Sequence, residues 1–397
     1  MARLIFFLCL FGAAAPLLLY PAVVGLAARL RPRPWTPRNL PPPMVSVITV
    51  MRDAAAFVAP AAAHFRALDY PAEKRELLLY EDGQSEAFAA AAAAVTTTPT
   101  ASDDAPRIVA ASGGAHQGKA RCLGQATALA RGDILVFADA DSALSPDALT
   151  ELVRPFADPA VGGVCGRRVI GRDAGKLRQA QSAYFDFDRA IKEAESRLGS
   201  LTSNDGKLYA VRRAVFRGIP DGVTDDLYAC LDVVRQGLRF VYAPRAVATV
   251  RTPSRDEAHE VERRRRIVCR SLRGMRLCRE LLDPRRFGWY APALFVNKAL
   301  RRGLPFFLAG VFVTSTVLAP GSRLFALVFL GQLGLLLLAL SHLSAGLARR
   351  SKKLARLAET AWYFLVGNLG TALGVLDFAR GRVIVAWTPK KGEKEGT

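Results

Sequence analysis

Histidine is scarce, with four residues, and His64, His116, His259 and His342 are scattered along the chain, so no histidine-rich metal cluster is visible. There are six cysteines, Cys9, Cys122, Cys165, Cys230, Cys269 and Cys278, and no two form a CxxC. Cys9 sits inside an apolar run. A disulfide framework and a zinc site are therefore set aside, and a reducing compartment fits better. Acid is also short: 35 Asp and Glu stand against 55 Lys and Arg, a formal net charge of +20.

What is present is apolar and basic together. Of 397 residues, 51% are hydrophobic, and the mean hydropathy is positive. Such a chain buries too much apolar surface to be disordered. A membrane protein whose basic face meets the anionic cytoplasmic leaflet satisfies both excesses. The length allows two or three domains.

The ends are membrane-like. Residues 4–28 are nearly free of charge, and a spanning helix needs roughly 20 apolar residues. Pro16 and Pro21 kink it, which membrane helices tolerate. A cleaved leader is the alternative, with Ala13 to Ala15 as small residues before a cut. Arg29, Arg31, Arg33 and Arg38 follow the run, which puts what comes next in the cytoplasm. Residues 30–43 form a Pro/Arg linker. Near the other end, 304–319 and 324–343 read as two spans separated by Pro320-Gly321-Ser322, with Arg349, Arg350, Lys352 and Lys353 behind them. The stretch 361–378 holds Asn368 and Asp377 and either spans or re-enters. The division expected is a first membrane helix over 1–29, the linker, a catalytic domain over 44–255, basic interfacial helices over 256–303, a membrane region over 304–379 and a basic tail over 380–397.

The middle alternates strand and helix patterns. Runs at 44–50, 76–80, 107–111 and 134–138 predict strands; 54–68, 87–95 and 118–130 predict helices, and 96–106 a polar loop. That alternation argues for a parallel α/β sheet, whose ligands bind at the carboxyl ends of strands.

Four clusters carry chemistry. Asp139-Ala-Asp141 follows a strand, and two carboxylates one residue apart there can share a hard divalent cation such as Mg²⁺ or Mn²⁺; a solvated turn or a helix cap explains them equally. Glu81-Asp82-Gly83 also ends a strand, and its acids can accept hydrogen bonds from a ribose or a base, although Asp-Gly is an ordinary turn. Thr224-Asp225-Asp226 opens a helix running to about Arg235. It is either a cap or the source of a general base. Arg263 to Arg266, with Arg270 and Arg273, suit a pyrophosphate or lipid headgroups. Nucleic acid is disfavoured, because no aromatic residues interleave with the arginines.

In this order and spacing the clusters resemble a family 2 glycosyltransferase with a GT-A fold, the superfamily of cellulose, chitin and hyaluronan synthases. Val45-Ser-Val-Ile-Thr-Val resembles the first strand of that fold. Leu68-Asp-Tyr-Pro71 resembles the approach to the second, and Gly118-Lys-Ala the turn near the nucleotide. Asp139-Ala-Asp141 is similar to the DxD motif, Asn204 to Arg213 to the acceptor-side segment, and Thr224-Asp-Asp226 to Thr-Glu-Asp. Asn368 and residues 380–390 resemble the membrane end of bacterial relatives. The chain departs from the pattern at Ala54, Gln84 and Gly124. Where processive synthases carry Gln-x-x-Arg-Trp, it reads Arg263-Arg-Arg-Arg266-Ile267, without the ring that stacks on an acceptor sugar.

The resemblance implies an α/β GT-A cytoplasmic domain between N- and C-terminal transmembrane helices, set in the inner (plasma) membrane. It implies an inverting transfer from a nucleotide-diphosphate sugar, most often a UDP-sugar in this family, to a glycan or lipid-linked acceptor in envelope polysaccharide synthesis. Asp226 would be the catalytic base. Arg52, Glu81, Asp82, Lys119, Asp139 and Arg266 would bind the nucleotide sugar. Asp139 and Asp141 would hold Mg²⁺ or Mn²⁺, and Asp205, Gly206 and Asp225 would line the acceptor side. The alternative is a non-catalytic scaffold that keeps the fold in a membrane complex.

Overall fold

The computed structural model describes residues 1–38, 40–96, 105–171, 178–250, 257–343 and 351–384. Most of the predicted loop 96–106, Arg349 and Arg350, and the tail from 385 onward lie outside the described residues. The chain divides into two compact units. One comprises residues 24–253 and 274–281; the other comprises 1–23, 254–273 and 282–384.

The first unit is built on an eight-stranded sheet. Its strands are β1 (Val45–Met51), β2 (Arg75–Glu81), β3 (Arg107–Ser112), β4 (Ile134–Ala138), β5 (Ser142–Leu144), β6 (Val161–Ile170), β7 (Leu208–Arg212) and β8 (Arg239–Val250). The order across the sheet is β3-β2-β1-β4-β7-β6-β8-β5. β1 and β2 are buried at every position, as central strands covered on both faces must be; β1 reads as a nearly continuous apolar run, while β2 sets Arg75, Glu76 and Glu81 around its apolar centre. Glu76, fully buried, accepts from Ser46 Oγ at 2.5 Å and from the Arg131 N–H at 2.6 Å, and pairs with Arg107.

The expected parallel sheet holds for β3-β2-β1-β4 and again for β6-β8. The second half of the domain differs. β7 lies antiparallel between β4 and β6, and β5 pairs antiparallel with β8. The sheet is thus mixed, and its antiparallel insertion carries no strand–helix alternation from which it could be read. The predicted helices appear as Val58–Arg66, Glu86–Ala93, Lys119–Leu129 and Asp225–Arg235. The last is buried from Leu227 through Val234, which anchors its acidic first turn against the sheet.

The second unit is helical. Among the described residues, four helices are long and apolar enough to cross a membrane: Ala2–Leu30, Leu304–Gly321, Arg323–Ser341 and Lys353–Ala379. The first contains a π-helical stretch, Ala15–Leu19, at Pro16, the kind of local unwinding that accommodates a proline inside a helix. Phe6 packs edge-on against Phe325, ring centres 4.9 Å apart, beside Val311. The last helix meets the basic helix Glu257–Leu277 along glycines: a Cβ on Gly370 would lie 2.8 Å from Val261 O, and one on Gly374 2.6 Å from Arg265 O. Small residues at such a crossing let two backbones approach closely. Asp377, buried, then accepts from Arg265 Nε at 2.5 Å and pairs with Arg382 at 3.0 Å.

Candidate active site

Two of the acidic clusters sit where strands end. Glu81 is the last residue of β2, and its carboxylate turns to the next helix rather than outward. It accepts from the Ser85 N–H at 2.9 Å and Ser85 Oγ at 2.5 Å, while Ser85 caps the helix Glu86–Ala93 through Phe88 N–H. Asp82 is buried and accepts from the backbone N–H groups of Gln117 at 2.7 Å and Gly118 at 3.1 Å, with His116 Nδ1 at 2.8 Å. Burial pushes its carboxyl upward, but the two N–H donors, Cys122 and His116 together hold it below the ordinary range. Asp82 thereby fastens the loop that delivers Lys119. Gly118, with φ +89°, turns the chain into that helix in a conformation that glycine adopts without strain.

Lys119 opens the helix Lys119–Leu129 and reaches two carboxylates: Asp139 Oδ1 at 3.0 Å and Asp225 Oδ2 at 2.9 Å. A second ammonium, Lys207, lies 2.9 Å from the other oxygen of Asp139 and 2.9 Å from Asp141 Oδ1. The result is a chain of alternating charge, Asp225–Lys119–Asp139–Lys207–Asp141. Its side chains keep between 17% and 25% exposure, so a ligand can reach them. Although burial opposes ionisation, the two lysines hold Asp139 far below the usual carboxylate range, and the carboxylates raise both lysines against the same burial. The carboxylates of Asp139 and Asp141 bracket one cationic centre with hard oxygen donors, which fits Mg²⁺ or Mn²⁺ completed by phosphate and water. Among the described residues no group of three or more His, Cys, Asp and Glu side chains converges as a metal site.

Asp225 and Asp226 occupy the first turn of the helix Asp225–Arg235; Thr224, at the cap position, makes no side-chain capping bond. The two acids are separated by their surroundings. Asp225 has the Lys119 ammonium. Asp226 is partly buried, and burial, followed by the charges of Asp225 and Asp205, lifts its carboxyl to about 6 despite the Leu227 N–H and Lys119. Its backbone carbonyl accepts from Asn204 Nδ2 at 3.1 Å, and Asn204 Oδ1 accepts from Asp205 N–H at 2.8 Å. Gly206 lies against it: an added Cβ there would be 3.6 Å from Asp226 Cβ.

Asp205 faces the other way, toward Arg168 Nε at 3.2 Å and Lys192 Nζ at 3.9 Å, and Lys192 also pairs with Asp188 at 2.7 Å. The Arg168 guanidinium stacks 4.1 Å from the Phe185 ring centre. These groups line a cavity of about 130 Å³. The β6–β8 register shifts between Cys165 and Arg167, a bulge that re-aims the following side chains.

Of the residues singled out from the sequence, Lys119, Asp139, Asp141 and Asp225 form one ion-pair chain, and Asp205, Gly206 and Asp226 stand together on one backbone network. Asp82 underpins the Lys119 loop, and Glu81 caps a neighbouring helix. Arg52 follows β1 and pairs with Asp53 at 3.3 Å. Arg266 belongs to the helical unit. There Arg263 and Arg264 bind Glu260, Arg265 binds Glu262 and Asp377, and burial followed by the charges of Arg270 and Arg263 lowers the Arg266 guanidinium. Lys207, Arg168, Lys192 and His116 escaped the sequence reading. Lys207 lies inside the segment 204–213 but is brought to Asp139 by the antiparallel register Ala138↔Leu208, which no local signal announces.

Comparison with known proteins bears on the family and the fold. The model of the family described as Glycosyltransferase like family 2 matches residues 67–269, just over half of the chain. Among curated proteins, an N-acetylglucosaminyltransferase of Rhizobium sp. is 25% identical over 138 residues, covering 31% of each chain. A beta-monoglucosyldiacylglycerol synthase of Synechocystis sp. is 25% identical over 198 residues, 48% of this chain and 40% of the relative. An O-antigen chain rhamnosyltransferase of Salmonella typhimurium is 28% identical over 127 residues, 29% and 40% respectively. The chain thus spans about a third to two-fifths of the length of these relatives. A mannosyltransferase from Pyrobaculum calidifontis, solved in complex with GDP-Man and Mn²⁺, superposes with a TM-score of 0.67 over 96% of this chain and 100% of its own, at 20% identity. That likeness is one of fold, the GT-A fold.

Proposed function

Since the chain belongs to glycosyltransferase family 2, we propose that it is a membrane-bound inverting enzyme that moves a hexosyl group from a nucleotide-diphosphate sugar to a hydroxyl of a lipid or glycan acceptor. The observation that carries this reading is Asp226. Its carboxyl, lifted to about 6 by burial and by Asp225, is a base matched to neutral pH, and it stands at the edge of the Lys119–Asp139–Lys207–Asp141 chain.

In this reading the acceptor hydroxyl lies against Asp226, which takes its proton as the oxygen attacks the anomeric carbon. The bond from that carbon to the diphosphate oxygen breaks, and the nucleoside diphosphate leaves with the electron pair. Asp139 and Asp141 would hold the Mg²⁺ or Mn²⁺, which when bound neutralises charge on the departing diphosphate. Lys119, at a helix N-terminus where anions are favoured, meets the same diphosphate. Asp82 keeps the loop 113–118 in place under the nucleotide. The cavity beside Asp205, with its cations and Phe185, receives the acceptor.

The four apolar helices support a membrane location, and the arginines after the first of them support a cytoplasmic catalytic unit in the inner membrane. The glycolipid and O-antigen activities of the relatives support a lipid or glycan acceptor. The test is nucleotide release by the full chain in detergent from UDP-, GDP- and dTDP-sugars with Mg²⁺ or Mn²⁺. Release by the wild type and not by Asp226→Asn supports the assignment; equal release by both overturns the base. Failure to bind any nucleoside diphosphate with metal present would favour the scaffold reading instead.

A further inference from the structure

Lys207 lies where a divalent cation shared by Asp139 and Asp141 would have to enter. Pairing of Ala138 with Leu208 across β4 and β7 sets Asp139 and Lys207 opposite each other at the end of the two strands. The Lys207 ammonium is 2.9 Å from Asp139 Oδ2 and 2.9 Å from Asp141 Oδ1. The other oxygen of Asp139 is taken by Lys119 at 3.0 Å. Asp139 therefore has a positive partner on each oxygen, and Lys207 also holds Asp141 Oδ1. A Mg²⁺ ion needs those same oxygens at about 2.0–2.1 Å, and Mn²⁺, which takes the same hard oxygen ligands, needs them as closely. At that range the ion and the ammonium would sit within a few ångströms of each other, with little solvent between them to screen the repulsion.

We propose that Lys207 is a tethered competitor of the divalent cation. It neutralises the Asp139–Asp141 pair in the free protein and yields the carboxylates when metal arrives with a nucleoside diphosphate, whose oxygens give the displaced ammonium a new partner. The inference rests on the metal site of the proposed function and assigns Lys207 a positioning role. Two consequences follow. Metal binds weakly without nucleotide, and metal and nucleotide strengthen each other's binding by the same factor.

The test measures Mn²⁺ binding to the full chain in detergent by the electron paramagnetic resonance of free Mn²⁺, with no sugar donor present. Wild type is compared with Lys207→Met, which keeps the apolar stem and removes the charge, with Lys207→Gln as a second neutral variant and Lys207→Arg as a charge-retaining one. Asp139→Asn reports binding elsewhere. Thermal unfolding selects the neutral variants that are folded, and either one suffices. The expected result is at least a tenfold gain in Mn²⁺ affinity for the neutral variant, none for Lys207→Arg, and a smaller enhancement by UDP or GDP in the neutral variant than in wild type. Equal or weaker Mn²⁺ affinity in the neutral variant overturns the inference and leaves the proposed function standing. No binding above the Asp139→Asn level by any variant, even with UDP or GDP, overturns the metal site and the inference together.

Discussion

The Lys119 ammonium lies 3.0 Å from Asp139 Oδ1, tying the first turn of one helix to the end of the fourth strand. The same ammonium reaches Asp225 at 2.9 Å, so a single side chain joins the strand-end acids to the acids that open the helix Asp225–Arg235.

Lys119→Ala removes both links and the charge offered to the diphosphate. Hydrogen bonds to charged groups contribute about 1.5–3 kcal/mol, so the KM for the donor is expected to rise roughly ten- to a hundredfold. Steady-state kinetics with the donor varied checks this. A change in kcat alone would contradict the placement.

Asp226→Asn is expected to lower kcat by about 10²–10⁴, the usual contribution of a general base, with donor affinity preserved. Because the carboxyl titrates at about 6 and must be ionised to accept a proton, kcat in the wild type should rise with pH through about 6 and level off above it. A flat profile between pH 5 and 8 would remove Asp226 from the proton transfer.

The same group affects stability with a definite sign. Its folded value is raised above the unfolded one, about 3.9, so the folded chain binds the proton more tightly. Stability contributed by Asp226 is present below about pH 3.9 and declines as pH rises to about 6. Asp226→Asn, which mimics the neutral form, should therefore raise the unfolding temperature at pH 8 and leave it nearly unchanged at pH 4. Thermal unfolding at the two values decides.

Asp82 behaves oppositely. Its carboxyl is held low by Gln117, Gly118, Cys122 and His116 in spite of burial, so its stabilisation is present above the unfolded value and fades as pH falls through the depressed one. Asp82→Ala strands two backbone N–H groups, at a cost of about 1–3 kcal/mol. The loop 113–118 should then exchange its amide hydrogens faster while β1 and β2 stay protected.

In the helical unit, Asp377 is buried and holds Arg265 and Arg382. Asp377→Ala leaves Arg265 without its partner on the last helix; with Arg265 partly exposed and still paired to Glu262, the loss is expected at about 1–3 kcal/mol. Arg265→Met combined with Asp377→Leu should recover part of that loss, since neither charge is then left alone. Additive losses in the double variant would show that the pair is not coupled.

Part of this was legible in the residues themselves. β1, β2 and β4 announce themselves as short apolar runs, with acids at the ends of β2 and β4, and the structure places them within a residue or so of the expected bounds. The same reading singled out Asp82, Asp139, Asp141, Asp225 and Asp226 as candidates, because carboxylates just past buried strands or at a helix start are visible in one dimension. It could not show the turn of Glu81 toward Ser85, which depends on the path of the next helix. Nor did it single out Lys207, Arg168 or Lys192, which lie on or beside strands and helices whose partners lie far off in the chain.

The amino-acid sequence by itself determined the α/β class, the apolar helices at the ends, the excess of positive charge and the acids at the strand termini, since each depends on local composition and periodicity. Tertiary structure alone decided which of those acids meet which lysines. The antiparallel seat of β7 between β4 and β6 sets Lys207 opposite Asp139, and the packing of the helix Asp225–Arg235 gives Asp225 a cation while burying Asp226 beside it. Cross-strand register and burial follow from how distant segments pack, so two adjacent aspartates that look alike in the chain meet different surroundings only in the fold.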